Sequence, residues 1–540
     1  MKKSYFITKA AIVFLFCLSN VAYSQTDNKR TKALIKHVCY LADDKLEGRR
    51  AGSNGEKLAA NFIAKQFKRN RLSSFDGLDK FFQPFEINDG LTIQPGTFFK
   101  SGSSVFELYE DFIPLPYSKN GNGVFSLAKT VFYNTNDLIT ENEGNPHFDY
   151  NESLYQKIKS IHSENSDCVI LIFNSKDTVL SEKFDAGNKK SQLPCFVFNV
   201  SVRVAGLLKN NKSDALHVNV DVIESKRTGH NVAGFINNNA EKTIVIGAHY
   251  DHLGYGEDKN SLYVGKDKQI HNGADDNASG TAALLLLSKE LNNKKYSQYN
   301  YALVAFSGEE LGLYGSKYFV EHPPLDLKKV SYMINMDMVG RLNDSTKGLT
   351  IGGFGTSPQW GNIINTKEEY FKIKIDSAGS GPSDHTSFYR KDIPVLFFFT
   401  GTHSDYHKPS DDAAKINYNG ELKIVDFILA VIERSFGYPE IVFSKTREAA
   451  PGGKSSFKVT MGIMPDYTYG GVGVLVDGVS DNRPAQKAGI KAGDVIQQLG
   501  SFVVEDVQSY MQALNKFKKG DETEVKIKRG NEAVLIKIIF

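Results

Sequence analysis

The sequence predicts an α/β fold: a mixed, mainly parallel sheet with helices on both faces, interrupted by a β-rich insert and followed by a small α+β unit. Three observations predict it. From about 228 to 436, near-continuous apolar runs ("TIVIGAH", "YALVAF", "YMINMDM", "IPVLFFF") alternate with helical stretches such as "GTAALLLLSKELNN". Strands covered on both faces and their crossover helices read this way. From about 95 to 225, short β-rich runs ("VILIFN", "CFVFNV", "LHVNVDVI") alternate with Asn- and Gly-rich loops. From about 455 to 540, "GVGVLVDGV", "DVIQQLG", "EVKIKRG" and "AVLIKIIF" read as strands around one amphipathic helix.

Taken in order, residues 1–24 read as an export signal. "MKKSYFITK" is basic, "AAIVFLFCL" is apolar, and small residues Ala22 and Ser24 precede a cleavage point. The apolar run is too short for a membrane span, and no second one follows. The mature chain is therefore expected to be exported, periplasmic or secreted, without a transmembrane anchor. Residues 30–75 read as helical. "GEKLAANFIAKQFKRN" places Leu58, Ala59, Phe62, Ile63 and Phe67 on one face. Residues 25–94 and 226–440 are assigned to one discontinuous domain and 95–225 to the insert. Residues 441–454 form a linker, and 455–540 the last unit, with a helix over 506–517 whose apolar side carries Val507, Tyr510, Met511 and Leu514.

At 540 residues the chain is too long for one ordinary domain. A net charge of +3 gives no support to a nucleic-acid surface or a polybasic membrane patch. Beyond the signal stand Cys39, Cys168 and Cys195, all in apolar settings. An odd count in an oxidising compartment allows one disulfide, Cys168–Cys195 being the better pair, or three buried thiols. No Cys-x-x-Cys spacing suggests a zinc ribbon.

Polar residues of metal-ligating type recur where the α/β strands end. "HYDHLG" delivers His249 and Asp251; "HNGADDNASG" delivers Asp275 and Asp276 before a helix; "SGEELG" delivers Glu309 and Glu310. "NMDMVG" carries Asp337 within an apolar stretch, "SDHTSF" carries Asp384 and His385, and "DYHKPSDD" carries Tyr406 and His407. Open α/β sheets bind ligands at the carboxyl ends of their strands, which would bring these distant segments together. Each fragment alone has a structural explanation: a satisfied histidine, a solvated Glu–Glu turn, or an N-cap supplied by Asp275 or Asn277. Their joint occurrence in this order points instead to a metal site. Imidazole and carboxylate are donors that Zn²⁺ accepts, and Co²⁺ or Mn²⁺ would fit them too.

The motifs "HYDHLG", "NGADDNASG", "SGEELGLYGS", "NMDMVG" and "YHKPSDD" resemble those of the co-catalytic di-zinc aminopeptidase family, whose relatives include glutamate carboxypeptidase II, the transferrin receptor and glutaminyl cyclases. The resemblance covers about 30–95 and 228–436. It implies a three-layer α/β/α core and two Zn²⁺ per chain. One metal is held by His249 and Asp337, the other by Glu310 and His407, with Asp276 bridging. It also implies that Glu309 is the general base, that Asp251 orients His249, and that a cis peptide follows Asp276. Tyr406, beside His407, is a candidate donor to an oxyanion or else a packing tyrosine. Asp384 and His385 are expected to support the ligands rather than join them.

The insert resembles a protease-associated (PA) domain in position and strand pattern. The C-terminal unit resembles a PDZ domain through "NRPAQKAGIKAGDVI" and the loop "MGIMPDY", which departs from the usual Gly-Leu-Gly-Phe form. Such a unit captures a peptide C-terminus by strand addition or serves as a docking module. The expected function is release of N-terminal residues from peptides. The alternatives are a related carboxypeptidase or dipeptidase and a receptor that has lost catalysis; a glutaminyl cyclase is a weaker third.

Overall fold

A computed structural model describes residues 27–142, 150–165, 167–177, 180, 184, 190–211, 214–258, 260–263, 265, 267–364, 369–446, 459–465, 469, 471–479, 483–505, 507–514, 516–530 and 532–540. The export signal expected over residues 1–24 lies outside the described residues. Among those described, no helix is long and apolar enough to cross a membrane.

The principal sheet has eight strands: β1 (Phe82–Ile93), β2 (Val222–Ile236), β3 (Thr243–His249), β4 (Asn300–Phe306), β5 (Val330–Met336), β6 (Gly348–Gly352), β7 (Lys372–Ile375) and β8 (Val395–Phe399). Their spatial order is β1-β2-β4-β3-β5-β8-β6-β7. The four central strands β4, β3, β5 and β8 are mutually parallel, while β1, β2 and β6 pair antiparallel to their inner neighbours. Every residue of β3, β4 and β5 is buried. Their continuous apolar runs therefore reflect helices on both faces.

Those helices are α1 (Asn54–Arg69), α2 (Gly280–Glu290), α3 (Tyr314–Glu321), α4 (His385–Tyr389) and α5 (Tyr418–Ser435). One core joins α1, α2 and α5 to one side of the sheet, and a second gathers Phe319 of α3 and Phe388 of α4 on the other. Helix α2 is buried from Gly280 to Ser288, because it lies between the sheet and its neighbours. In α1 the buried face is Ala59, Ala60, Ile63 and Phe67. Leu58, expected on that face, is 39% exposed. Leu58 lies at the edge of the buried face, which extends to Ala60 instead.

Between β1 and β2 the chain builds two four-stranded sheets. One pairs Phe98–Ser101 with Ser104–Phe106 and Ala215–Val220, and the latter with Gly121–Ser126. The other runs Phe112–Pro114, Phe196–Val200, Val169–Phe173, Thr130–Asn134. Cys168 and Cys195 lie side by side, just before two parallel strands in register, but both are free thiols. Burial, and then Cys168 itself, pushes the Cys195 thiol up to about 11. Cys39, expected in an apolar setting, is exposed and also free.

The C-terminal strands Ile463–Pro465, Val474–Val479, Val495–Leu499, Glu522–Arg529 and Glu532–Ile539 form one sheet with the short strand Phe502–Val503. The helix is Val507–Leu514, within the 506–517 expected; residues 506 and 515 lie outside the described residues. Tyr510 and Leu514 are buried in the unit's core, and Met511 packs against it. The side chain of Val507, and Asp466 and Tyr467 of the expected loop, lie outside the described residues.

Candidate metal centre

The site forms at the carboxyl ends of β3, β4, β5 and β8, where parallel strands point their last residues into one crevice. His249 ends β3, Asp337 follows β5, and the Glu309–Glu310 pair follows β4 after a glycine turn. Gly308 adopts φ +71°, which permits that tight turn. Asp276 sits between β3 and α2, in a stretch whose Asp276–Asn277 peptide is cis, as the resemblance implied. Its backbone is tied down on two sides. Asp411 Oδ2 accepts the N–H groups of Asp275 (2.9 Å) and Asp276 (3.1 Å). Asn277 Nδ2 donates to Met336 O at 2.9 Å, beside Asp337. Asn277 Oδ1 also accepts the Gly280 N–H (2.9 Å), giving α2 the cap expected of this segment.

The five predicted ligands converge. His249 Nε2 lies 3.4 Å from Asp276 Oδ1 and 3.3 Å from Asp337 Oδ1. His407 Nε2 lies 3.3 Å from Asp276 Oδ2 and 3.1 Å from Glu310 Oε2. Donors about 2.0–2.2 Å from a tetrahedral zinc stand roughly 3.3–3.5 Å from one another; three of these spacings match, and the His407–Glu310 pair at 3.1 Å stands slightly closer. Among the described residues, Asp276, Asp337 and Glu310 have no lysine or arginine within ion-pairing distance; the only basic groups within it are imidazoles. Three buried or nearly buried carboxylates without a cationic side chain are the donor set that external cations complete.

The electrostatics agree. Burial opposes ionisation of Asp276, but His249, His252 and His407 outweigh it and hold its carboxyl well below the usual range. Burial would lower the His407 imidazole, yet Glu310 and Asp276 raise it to about 11. Burial lifts the Glu309 carboxyl well above its ordinary value; His249 opposes this, and Asp337 and Glu310 add to it.

The supporting groups are only partly those expected. The acceptor nearest His249 Nδ1 is the backbone carbonyl of Asp251 (3.3 Å), with its carboxylate Oδ1 at 3.7 Å. Asp251 Oδ1 also accepts the Glu309 N–H at 3.2 Å, linking the two motifs. The Tyr406 ring stacks on His407, with centroids 3.9 Å apart. Asp384 and His385 are buried and outside the donor groups; the His385 ring stacks on Phe397 at 4.5 Å.

Several residues escape the sequence reading. Ser383 Oγ donates to Asp337 Oδ2 at 2.8 Å and accepts from Asn335 Nδ2 at 2.8 Å. His252 Nδ1 lies 2.7 Å from Glu310 Oε1. Its motif, "HYDHLG", is legible, but the role of its second histidine is not. Fully buried Arg49 spans the floor, donating to the carbonyls of Tyr250, Leu41, Asn272 and Gly273.

Residues 231–432 match the family model for peptidase family M28. This part of the chain is similar to that family. Residues 449–539 match the PDZ domain, starting a little before the boundary at 455 expected from the sequence. Among curated relatives, the aminopeptidase YwaD of Bacillus subtilis is 25% identical over 292 residues, covering 52% of this chain and 59% of its own. Leupeptin-inactivating enzyme 1 of Streptomyces exfoliatus is 29% identical over 199 residues, covering 35% and 40%. The chain thus spans about half the length of these relatives. Among solved structures, a zinc aminopeptidase of Bacillus subtilis superposes with a TM-score of 0.43 at 19% identity, covering 75% of this chain and 95% of that one.

Proposed function

We propose that the protein is an exported metallo-aminopeptidase that hydrolyses N-terminal residues from peptides with two zinc ions. The observation that carries this reading is the position of Asp276, whose two oxygens face different histidines, each beside a further carboxylate. One ion would be held by His249 Nε2, Asp276 Oδ1 and Asp337 Oδ1, and the other by Asp276 Oδ2, Glu310 Oε2 and His407 Nε2. When bound, a zinc pair supplies the Lewis acidity that makes water nucleophilic and polarises a scissile carbonyl.

The chain's own groups do the rest. Glu309, whose proton affinity burial raises, takes the proton of the attacking water and delivers it to the leaving amine. Glu310, next in sequence, is committed to the second metal position, so adjacent acids divide the two tasks. Asp251 fixes His249 and the Glu309 backbone together. Tyr406, stacked on His407, presents its hydroxyl to the developing oxyanion.

The division into catalytic segments 25–94 and 226–440, a PA-like insert 95–225, a linker 441–454 and a PDZ-like unit 455–540 belongs to the same reading. The insert would restrict or orient substrate access, and the PDZ-like unit would take a peptide C-terminus. Export rests on the basic–apolar–small order of residues 1–24.

The deciding experiment is a panel of aminoacyl p-nitroanilides, assayed with and without chelator, beside C-terminally free acidic dipeptides. Turnover of the anilides that chelator abolishes and zinc restores is expected. Turnover of the free dipeptides alone would replace this reading with a carboxypeptidase or dipeptidase. Failure to bind metal would replace it with a non-catalytic receptor.

A further inference from the structure

We infer that His252 and Asn260 position the two ligands proper to the second metal site, Glu310 and His407, and so govern its occupancy separately from the first. The inference rests on the two-zinc reading above.

The distances separate ligand from support. His252 Nδ1 stands 2.7 Å from Glu310 Oε1 and 3.9 Å from Asp276 Oδ2. Two donors only 2.7 Å apart are too close to share one tetrahedral ion, whose donors stand roughly 3.3–3.5 Å apart. They are at the spacing of a charge-assisted hydrogen bond. His252, fully buried at the side chain, therefore donates Nδ1–H to the outer oxygen of Glu310. That leaves Oε2, 3.1 Å from His407 Nε2, as the oxygen offered to the metal.

Asn260 holds the same pair from the other side. Its backbone carbonyl accepts Nδ1–H of His407 at 2.9 Å, which makes Nε2 the ligating nitrogen. Its side-chain amide donates to the Glu310 carbonyl at 3.1 Å. The first site has its own supports: the Asp251 carbonyl on His249 and Ser383 on Asp337. Neither set shares a residue with the other. Only Asp276, held by Asp411, belongs to both sites.

The test is competitive titration of the metal-free full-length protein with Zn²⁺ against a chromophoric chelator, repeated with Co²⁺ to follow each site's visible spectrum. Wild type should bind two equivalents. In His252→Leu the second equivalent should weaken roughly 10–100-fold while the first is unchanged. His252→Asn, whose amide N–H falls near the Nδ1 position, should restore much of the loss. His252→Gln, whose amide reaches the Nε2 position instead, should not, and it stands in for the leucine variant if that one fails to fold. Ser383→Ala should weaken the other equivalent. Two wild-type affinities in both His252→Leu and His252→Gln would overturn the inference, as would equal loss of both ions in a variant that melts like wild type. A wild-type protein that binds a single equivalent would overturn the two-zinc reading itself.

Discussion

Asp276 faces His249 with one carboxylate oxygen and His407 with the other, at 3.4 and 3.3 Å. These histidines come from segments far apart in sequence, one ending β3 and one following β8. A single carboxylate thus joins what would otherwise be two unrelated donor pairs. Replacing it with alanine removes one donor from each site and leaves imidazoles facing isolated acids. Asp276→Ala is expected to release both ions and to lose activity in parallel. Elemental analysis after dialysis checks this; full zinc occupancy in the variant contradicts the bridging role.

Among the described residues, Glu309 belongs to no cluster of ligand-type side-chain atoms, whereas its neighbour Glu310 does. Exchanging its carboxylate for an amide keeps the shape and removes the proton acceptor. Glu309→Gln should retain both metals while turnover falls about 10²–10⁴-fold, the usual worth of a positioned base. Near-normal kcat with full metal content would remove the assignment.

The sheet and the segments that carry the five proposed ligands are legible in the sequence because each rests on a local pattern. Apolar runs mark β3, β4, β5 and β8, and His249, Glu310 and Asp337 fall at or just past their ends. The partners of those ligands are not legible. Ser383 meets Asp337 across 46 positions and Asp411 meets the Asp276 N–H across 135, with no periodicity to announce either contact. Arg49 reads as one more basic residue in "EGRR", and only the folded chain surrounds it with carbonyls. Leu58 shows the opposite error: a residue with the right spacing can lie at the edge of a helix's buried face.

Arg49 is fully buried, and its guanidinium satisfies four backbone carbonyls that frame the site. Arg49→Met would strand them. Each buried group left unpaired costs about 1–3 kcal/mol, so a loss of at least 3 kcal/mol is expected. Arg49→Lys should recover little, since an ammonium lacks the five donors of the planar fork. Urea denaturation of the metal-loaded proteins measures both.

Glu421, in α5, is fully buried, and among the described residues neither of its carboxylate oxygens has a hydrogen-bond partner. Burial, and then the charge of Asp275, pushes its pKa well above the usual range. The carboxyl therefore stays protonated in the fold to higher pH than in the unfolded chain. The unfolded state loses its proton first, so stability from this group falls as pH rises above the ordinary glutamate value. Glu421→Gln removes that dependence. The variant should melt above wild type at pH 8, and the gap should narrow toward pH 5. A gap of the same size at both values would contradict the buried neutral carboxyl.

Tyr406 is the sharpest case, because packing and catalysis make different demands on it. Its ring contributes the stack on His407, and phenylalanine would preserve that. Burial, then the carboxylates of Asp276 and Glu310, pushes the phenol pKa far upward, so the hydroxyl keeps its proton and is available as a donor. If that donor meets the oxyanion, Tyr406→Phe should lower kcat about 10²–10³-fold. KM and metal content should change little, because the interaction strengthens only as charge develops. If the ring serves packing alone, the variant turns over like wild type, and Tyr406 leaves the catalytic set. Steady-state kinetics on one aminoacyl anilide, with zinc content measured on the same sample, separates the two outcomes.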